Sequence, residues 1–196
     1  MYKKDLTMAN QFSSIDDAWF IYNETFENFK TYEHIFTDFN RNQNKGNLTT
    51  TVHGNQKDIN LEEYPLLIKD ITNKVNECFR TNELPFSVNR IDNGWWISYN
   101  KYGFQALHRH QRSFSKEDQY ICTALIGYDT VTTDDDWGQF YGIANDQYFQ
   151  FGNKPGNLII FDSKVWHGVY PVQQKQRRIM AFDIFYNVEG ETDDTN

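Results

Sequence analysis

The chain has 196 residues, a formal net charge of −8 and an aromatic content of 17%. This length predicts a single domain over residues 1–188, followed by a frayed acidic tail over residues 189–196. The negative charge disfavours a general nucleic-acid binding surface, and no apolar run is long enough to cross a membrane. We see no secretory signal, so we expect a cytoplasmic location and free thiols at Cys78 and Cys122.

The N-terminal part, residues 12–82, is predicted to be helical. Ser13 begins a capping sequence in front of residues 18–29, and this pattern predicts a first helix there. A second helix is predicted over residues 61–80, where apolar side chains recur at steps of three and four residues. These side chains are Leu67, Ile71, Val75, Cys78 and Phe79. Such a stripe is typical of a helix that covers one face of a sheet.

The remaining part, residues 86–188, is rich in β-branched and aromatic residues separated by turn-forming links. Strands are predicted at residues 88–91, 95–99, 120–128, 158–161 and 179–188. Short strands with long polar loops and no helices between them are typical of an antiparallel sandwich or an open barrel. The expected fold is therefore mainly β, with the helices packed on one outer face.

Three of the five histidines lie in this β-rich part. His108 and His110 are two residues apart, and such side chains point to the same face of an extended strand, so both imidazoles can bind one ion. His167 follows an apolar strand and a turn, which lets its ring enter the same face from a neighbouring strand. Imidazole and carboxylate ligands on one side of Fe(II) leave positions open for a cosubstrate and dioxygen. The alternatives are a solvated histidine pair and a core histidine bonded to the backbone.

Two arginines, Arg177 and Arg178, begin the last predicted strand. Neighbouring residues of a strand point to opposite faces, so only one of them can face a cavity. One face carries Arg177, Ile179, Ala181 and Asp183, and the other carries Arg178, Met180 and Phe182. A guanidinium in a barrel mouth makes a two-point contact with a carboxylate and suits a dicarboxylic acid. The alternative is that both arginines are surface charges.

Residues 156–185 resemble the C-terminal half of the double-stranded β-helix, or jelly roll, of 2-oxoglutarate/Fe(II)-dependent oxygenases. A glycine-led strand, a histidine, a Val-x-Pro-Val sequence and an arginine follow there in the family's order. The arginine stands ten residues after His167, and this spacing selects Arg177 over Arg178. The resemblance extends over about residues 95–187 and is close to members from phage and marine bacterial genomes.

The resemblance implies an oxidoreductase that binds Fe(II) and 2-oxoglutarate. It implies hydroxylation of a C–H bond of an unidentified substrate by dioxygen, with release of succinate and CO2. His108, His110 and His167 would bind the iron. Arg177, with Arg178 as the alternative, would clamp the distal carboxylate of 2-oxoglutarate, assisted by Tyr99.

The chain departs from the family pattern at His110, where most members carry Asp or Glu. Either His110 replaces that carboxylate, or only one of His108 and His110 binds the metal and Glu117 or Asp118 supplies an oxygen from the following loop. We favour the first alternative, because the second requires the carboxylate to come from the loop that follows the pair and not from the strand end itself. The loop at residues 129–142, with its acidic residues 134–136, is expected to form one wall of the cavity.

Two other functions fit parts of the pattern. A cupin-type metalloenzyme also uses an H-x-H pair and a later histidine, but it needs no 2-oxoglutarate and no clamp such as Arg177. A non-catalytic β-sandwich binding module would use tryptophans as stacking platforms, although most aromatic side chains in a β domain are core. The tryptophans concerned are Trp95, Trp96, Trp137 and Trp166. The substrate and the oligomeric state are left open by the sequence.

Overall fold

The computed structural model describes residues 8–9, 19–39, 51–110, 120–131, 137–173 and 176–189. In these residues the first five strands are β1 (Met8–Ala9), β2 (Phe20–Thr25), β3 (Thr51–Asp58), β4 (Phe86–His108) and β5 (Ile121–Gly127). The others are β6 (Phe140–Ala144), β7 (Gln147–Phe151), β8 (Asn157–Asp162), β9 (Trp166–Val169) and β10 (Gln176–Val188). The helices are α1 (Phe29–Phe39) and α2 (Pro65–Thr81), and a 3₁₀ turn (Leu61–Glu63) precedes α2. The predicted mainly β fold is therefore confirmed.

All of these strands pair antiparallel in one sheet with the order β1-β2-β8-β5-β10-β4-β9-β6-β7, and β3 pairs with β4 outside that path. Strand β4 is 23 residues long and includes residues that the sequence pattern assigned to two strands. Most of β4 pairs with β10, whereas its last residues pair with β9. This long strand therefore connects the helix-covered part of the sheet to the part formed by β9, β6 and β7.

The sheet buries apolar side chains on both faces. Tyr22 and Ile160 belong to a cluster that includes the buried side chains of both helices. Their chain neighbours Ile21 and Ile159 belong to a second cluster, which joins β2, β5, β8 and β10 to β6, β7 and β9. Successive side chains of a strand point to opposite faces of the sheet, so alternate residues of one strand belong to the two clusters. We call the second cluster's side of the sheet the inner face, since strands from both ends of the sheet enclose it.

The second predicted helix is confirmed. Helix α2 buries all five side chains of the predicted stripe, and they belong to the cluster between the helices and the sheet. Pro65 stands at the start of the helix, where its fixed φ and missing N–H are tolerated. In the residues that the structure describes, no helix combines the length and apolar character that a membrane span needs.

The first predicted helix is wrong where the structure describes it, and the predicted helical part also contains β2 and β3. Residues 20–25 form β2, which pairs with β8, and α1 begins only at Phe29. The residues before 19 that belong to this prediction lie outside the described part of the chain. Phe20, Ile21 and Tyr22 are all buried, because β2 is covered on both faces. A strand buried on both sides has no alternating pattern, so its periodicity cannot be distinguished from that of a buried helix.

The two cysteines are buried free thiols. Burial raises the pKa of the Cys78 thiol to about 12 and raises the pKa of Cys122 well above its usual value. Since the thiolate is the reactive form, we expect neither thiol of the native protein to react rapidly with an aromatic disulfide reagent at mildly alkaline pH. Both thiols should react at once in denaturant. Rapid labelling of either cysteine before unfolding would contradict this expectation.

Candidate metal centre

The three histidines predicted as ligands lie together. One ring nitrogen each of His108, His110 and His167 lies within 4.8 Å of the others. The ring centres of His108 and His167 are 4.2 Å apart, and those of His110 and His167 are 5.0 Å apart. Nitrogen ligands at about 2.1 Å from one ion stand roughly 3 to 4 Å from each other. Small rotations of the rings therefore bring the set to coordination distance.

Strand pairing positions these rings. His108 is the last residue of β4 and is paired in register with His167 on β9. His110 follows two residues later, so its ring lies on the same side as that of His108. The other two histidines, His34 and His53, are exposed and do not belong to the cluster. The predicted H-x-H pair and the later histidine are thus brought together by the β4–β9 ladder.

Backbone carbonyls hold two of the rings. Nδ1 of His108 donates to the Ala106 carbonyl at 2.9 Å, and Nδ1 of His167 donates to the Val165 carbonyl at 3.0 Å. A carbonyl oxygen can only accept, so Nδ1 carries the proton in both rings and Nε2 keeps a lone pair. An imidazole bonded in this way is oriented for a metal at Nε2.

A carboxylate holds the third ring. Nδ1 of His110 lies 2.9 Å from Oδ1 of Asp183 and 3.1 Å from the Thr123 hydroxyl. The same hydroxyl donates to Oδ1 of Asp183 at 3.3 Å, and Asp183 is 1% exposed. Sequence reasoning assigned no role to Asp183 or Thr123. The available signal was that Asp183 lies on the same face of its strand as Arg177.

Burial also favours the form of the rings that binds metals. The pKa of His167 lies well below its usual value, because the ring is buried and because the charged forms of His108 and His110 would repel its own. The pKa of His108 is lowered as well, mainly by burial. Neutral imidazole is the ligand form of histidine. His108 and His167 are therefore favoured as neutral nitrogen donors.

Arg177 lies on the inner face, opposite Tyr99 in the β10–β4 pair. Its side chain is 1% exposed, and its Cζ is 5.4 Å from the centre of the Tyr99 ring. Among the described residues, its Nε and one terminal nitrogen have no hydrogen-bond partner, and burial lowers the pKa of the guanidinium. A buried cation with unused donors is unfavourable by itself. It is suited to an anionic ligand that supplies the missing acceptors.

Arg178 points the other way. It makes a two-point contact with Asp129, with Nε and Nη2 at 2.9 and 2.7 Å from the two carboxylate oxygens, and it lies 4.0 Å from the Tyr128 ring centre. The Asp129 carboxylate raises the pKa of this guanidinium. The next residues agree with this orientation. Ile179 and Ala181 belong to the inner cluster, while Met180 and Phe182 belong to the cluster under the helices.

Solved structures resemble this chain over most of its length. A prolyl 4-hydroxylase from Pseudomonas putida matches with a TM-score of 0.63 and 13% identity, over 84% of this chain and 91% of that one. HygX from Streptomyces hygroscopicus, with nickel and 2-oxoglutarate bound, matches with a TM-score of 0.61 and 9% identity, over 84% and 82%. A 2-oxoglutarate/Fe(II) oxygenase-family oxidoreductase from Burkholderia pseudomallei matches with a TM-score of 0.56 and 14% identity, over 78% and 77%.

The chain has the 2-oxoglutarate/Fe(II) oxygenase fold. The predicted jelly-roll core and the resemblance to this superfamily are thereby confirmed at the level of fold. No protein-family model matches the chain, and no curated protein matches it either. The closer likeness to phage and marine bacterial members stays a prediction.

Within this oxygenase fold, Gln105 links the tyrosine to the histidine cluster. Its Oε1 accepts from the Tyr99 hydroxyl at 2.7 Å, and its Nε2 lies 3.3 Å from Nε2 of His108. That second contact is consistent with a lone pair on Nε2 of His108. A metal bound at this nitrogen requires the amide to turn away. Gln105 was not among the predicted site residues, and its position three residues before His108 carried no recognisable signal.

Some of the predicted site residues lie outside the described part, and the four tryptophans do not form one surface. Glu117, Asp118 and residues 134–136 lie outside the described part of the chain, so the loop carboxylate and the acidic wall stay predictions. The tryptophans considered as a stacking platform do not share one face. Trp96 packs under the helices and Trp95 against the inner cluster, whereas Trp137 and Trp166 are each 42% exposed.

Proposed function

We propose that this protein is an Fe(II)- and 2-oxoglutarate-dependent dioxygenase that hydroxylates a C–H bond of an unidentified substrate. We assign this activity to one domain over residues 1–188. The observation that carries the proposal is the combination of three converging imidazoles with the buried, underused guanidinium of Arg177 on the inner face. A metal and a dicarboxylate cosubstrate satisfy these two features together.

The three histidines fit Fe(II) because their Nδ1 atoms are already bonded, which leaves Nε2 for a metal, and because one ring nitrogen of each lies within 4.8 Å of the others. Three nitrogen donors leave coordination positions for a two-point cosubstrate and dioxygen. When bound, the iron with 2-oxoglutarate and dioxygen supplies the oxidation, with release of succinate and CO2. The protein's own part is to bind, to orient and to exclude water. Phe140 and Phe161 pack on the His167 ring, at 5.8 and 4.5 Å between ring centres, and keep water from that side.

Arg177 is the proposed clamp for the distal carboxylate of 2-oxoglutarate. A guanidinium binds a carboxylate through two parallel N–H···O bonds, and in a buried site this attraction is stronger than in water. Tyr99, which is fully buried beside Arg177, would assist through its hydroxyl. Arg178 is a poor alternative, because Asp129 already engages two of its nitrogens.

The test is to follow binding and turnover separately. We expect calorimetry to detect one Ni(II) or Co(II) per chain, and to detect 2-oxoglutarate binding only in the metal-loaded protein. With Fe(II), 2-oxoglutarate and oxygen, we expect succinate to form in proportion to the oxygen consumed. A protein that binds metal but neither binds nor consumes 2-oxoglutarate would instead favour the cupin-type alternative. A protein that binds no metal would contradict both enzyme proposals.

A further inference from the structure

The His110 ring differs from the other two proposed ligands in what holds its Nδ1 atom. Among the described contacts, the rings of His108 and His167 are held by backbone carbonyls, whereas that of His110 contacts the side chain of Asp183. Asp183 is 1% exposed and lies on β10, 73 residues further along the chain. Burying a carboxylate costs free energy unless the group is paired or hydrogen-bonded.

We propose that Asp183 is the positioning residue of the metal site, which fixes the tautomer of His110 and supplies the negative charge that three imidazoles lack. This inference rests on the proposed function, since it concerns the same metal. Most family members have Asp or Glu at the position of His110, and Asp183 would supply the negative charge that is missing there. Asp183 is assigned no direct contact with the metal.

The hydrogen bonds determine the tautomer. The Thr123 hydroxyl has one proton, which it donates to Oδ1 of Asp183 at 3.3 Å. Nδ1 of His110 faces the same carboxylate oxygen at 2.9 Å, and that oxygen can only accept. If the proton of His110 were on Nε2, two acceptors would face each other at this distance. The proton therefore belongs on Nδ1, and Nε2 keeps the lone pair that a metal needs.

The strand register builds this contact. Thr123 on β5 is paired directly with Asp183 on β10, and β10 lies between β5 and β4. Both side chains therefore sit on rigid, central strands, and neither depends on a loop. Such a support holds the His110 ring within the narrow angular range that a metal ligand needs.

The charge balance points the same way. A divalent ion held by three neutral imidazoles keeps its full charge of two, and burying that charge is unfavourable. A carboxylate one ring away offsets half of it and raises the basicity of the ligand. Loss of such a partner lowers metal affinity by about 10- to 100-fold. That range is the effect we expect at Asp183.

The experiment compares two buried carboxylates. Asp183→Asn keeps the shape of the side chain and removes its charge. Asp162→Asn is the matched control, because Asp162 is also 1% exposed and accepts from the Tyr186 hydroxyl and the Lys164 N–H, both at 2.8 Å. We expect calorimetry to show Co(II) binding weakened by about 10- to 100-fold in Asp183→Asn and unchanged in Asp162→Asn. Wild-type affinity in Asp183→Asn would overturn the inference.

A second pair of variants keeps the test decisive if Asp183→Asn fails to fold. Thr123→Val removes the hydroxyl that bonds to both partners, and Thr123→Ser restores it. We expect weaker Co(II) binding in the first variant and recovery in the second. Equal binding in both would count against the inference.

The proton itself can be located in the zinc-loaded wild type. Nitrogen-detected NMR of the imidazoles should place the His110 proton on Nδ1, and a proton on Nε2 would overturn the inference. The proposed function is judged by a different result. If the wild type binds metal and Asp183→Asn binds it equally well, the proposed role of Asp183 is wrong and the proposed function is unaffected. If the wild type binds no metal, the proposed function is wrong, whatever Asp183→Asn does.

Discussion

Replacing Arg177 by alanine is expected to weaken 2-oxoglutarate binding by about 30-fold to 4,000-fold, since truncating one partner of a buried charge pair costs about 2 to 5 kcal/mol. Arg177 is 1% exposed and does not belong to the histidine cluster, so the variant should still bind one Co(II) per chain. Calorimetry with the metal-loaded protein measures both affinities. Arg177→Lys should bind 2-oxoglutarate with intermediate affinity, because an ammonium makes a point contact in place of the fork.

The neighbouring arginine is the control. Arg178→Ala removes the contact with Asp129 on the other side of the strand, so we expect unchanged affinity for 2-oxoglutarate. A further variant, Arg177→Met, should leave the ligand-free protein at least as stable as the wild type. It replaces a buried cation, two of whose nitrogens have no hydrogen-bond partner among the described residues, by an apolar side chain of similar length. Wild-type cosubstrate affinity in Arg177→Ala would show that the clamp lies elsewhere.

Replacing His167 by alanine is expected to abolish stoichiometric Co(II) binding. Its ring is 4% exposed. The ring centre lies 4.2 Å from that of His108 and 5.0 Å from that of His110, whereas His108 and His110 are 5.5 Å apart. Removing it leaves two donors on one strand end, too few to hold an ion tightly. Metal bound to the native state raises the unfolding temperature by mass action. Thermal unfolding with and without Co(II) should therefore show a metal-dependent rise for the wild type and none for the variant.

The variant also loses packing, because His167 contacts Phe161. A lower unfolding temperature without metal is therefore expected and says nothing about ligation. The informative quantity is the difference that Co(II) makes within each protein. His34→Ala serves as the control, since His34 is exposed and outside the cluster. Tight binding of one Co(II) by His167→Ala would contradict the assignment of the third ligand.

The sequence alone determined the features that depend on local spacing. Leu67, Ile71 and Val75 repeat at the helical period, and they are the buried stripe of α2. His108 and His110 share one side because a strand has a period of two, which holds whatever lies next to the strand. The order of glycine, histidine and arginine near the C-terminus also indicated the fold, because its spacing along the chain resembles the oxygenase pattern and can be read without knowing which strands are neighbours.

Tertiary structure decided the features that depend on which strands are neighbours. Phe20 to Tyr22 form a strand because β8 pairs beside them and both faces are covered, and no local pattern records this. Because of the register of β10, Arg177 lies on the inner face and Arg178 binds Asp129 on the other side of the strand. The contact of Asp183 with His110 joins residues 73 positions apart. Strand pairing is a non-local choice, set by the packing of the whole sheet. The sequence could therefore suggest the proposed ligands, whereas only the folded sheet shows which residues support them.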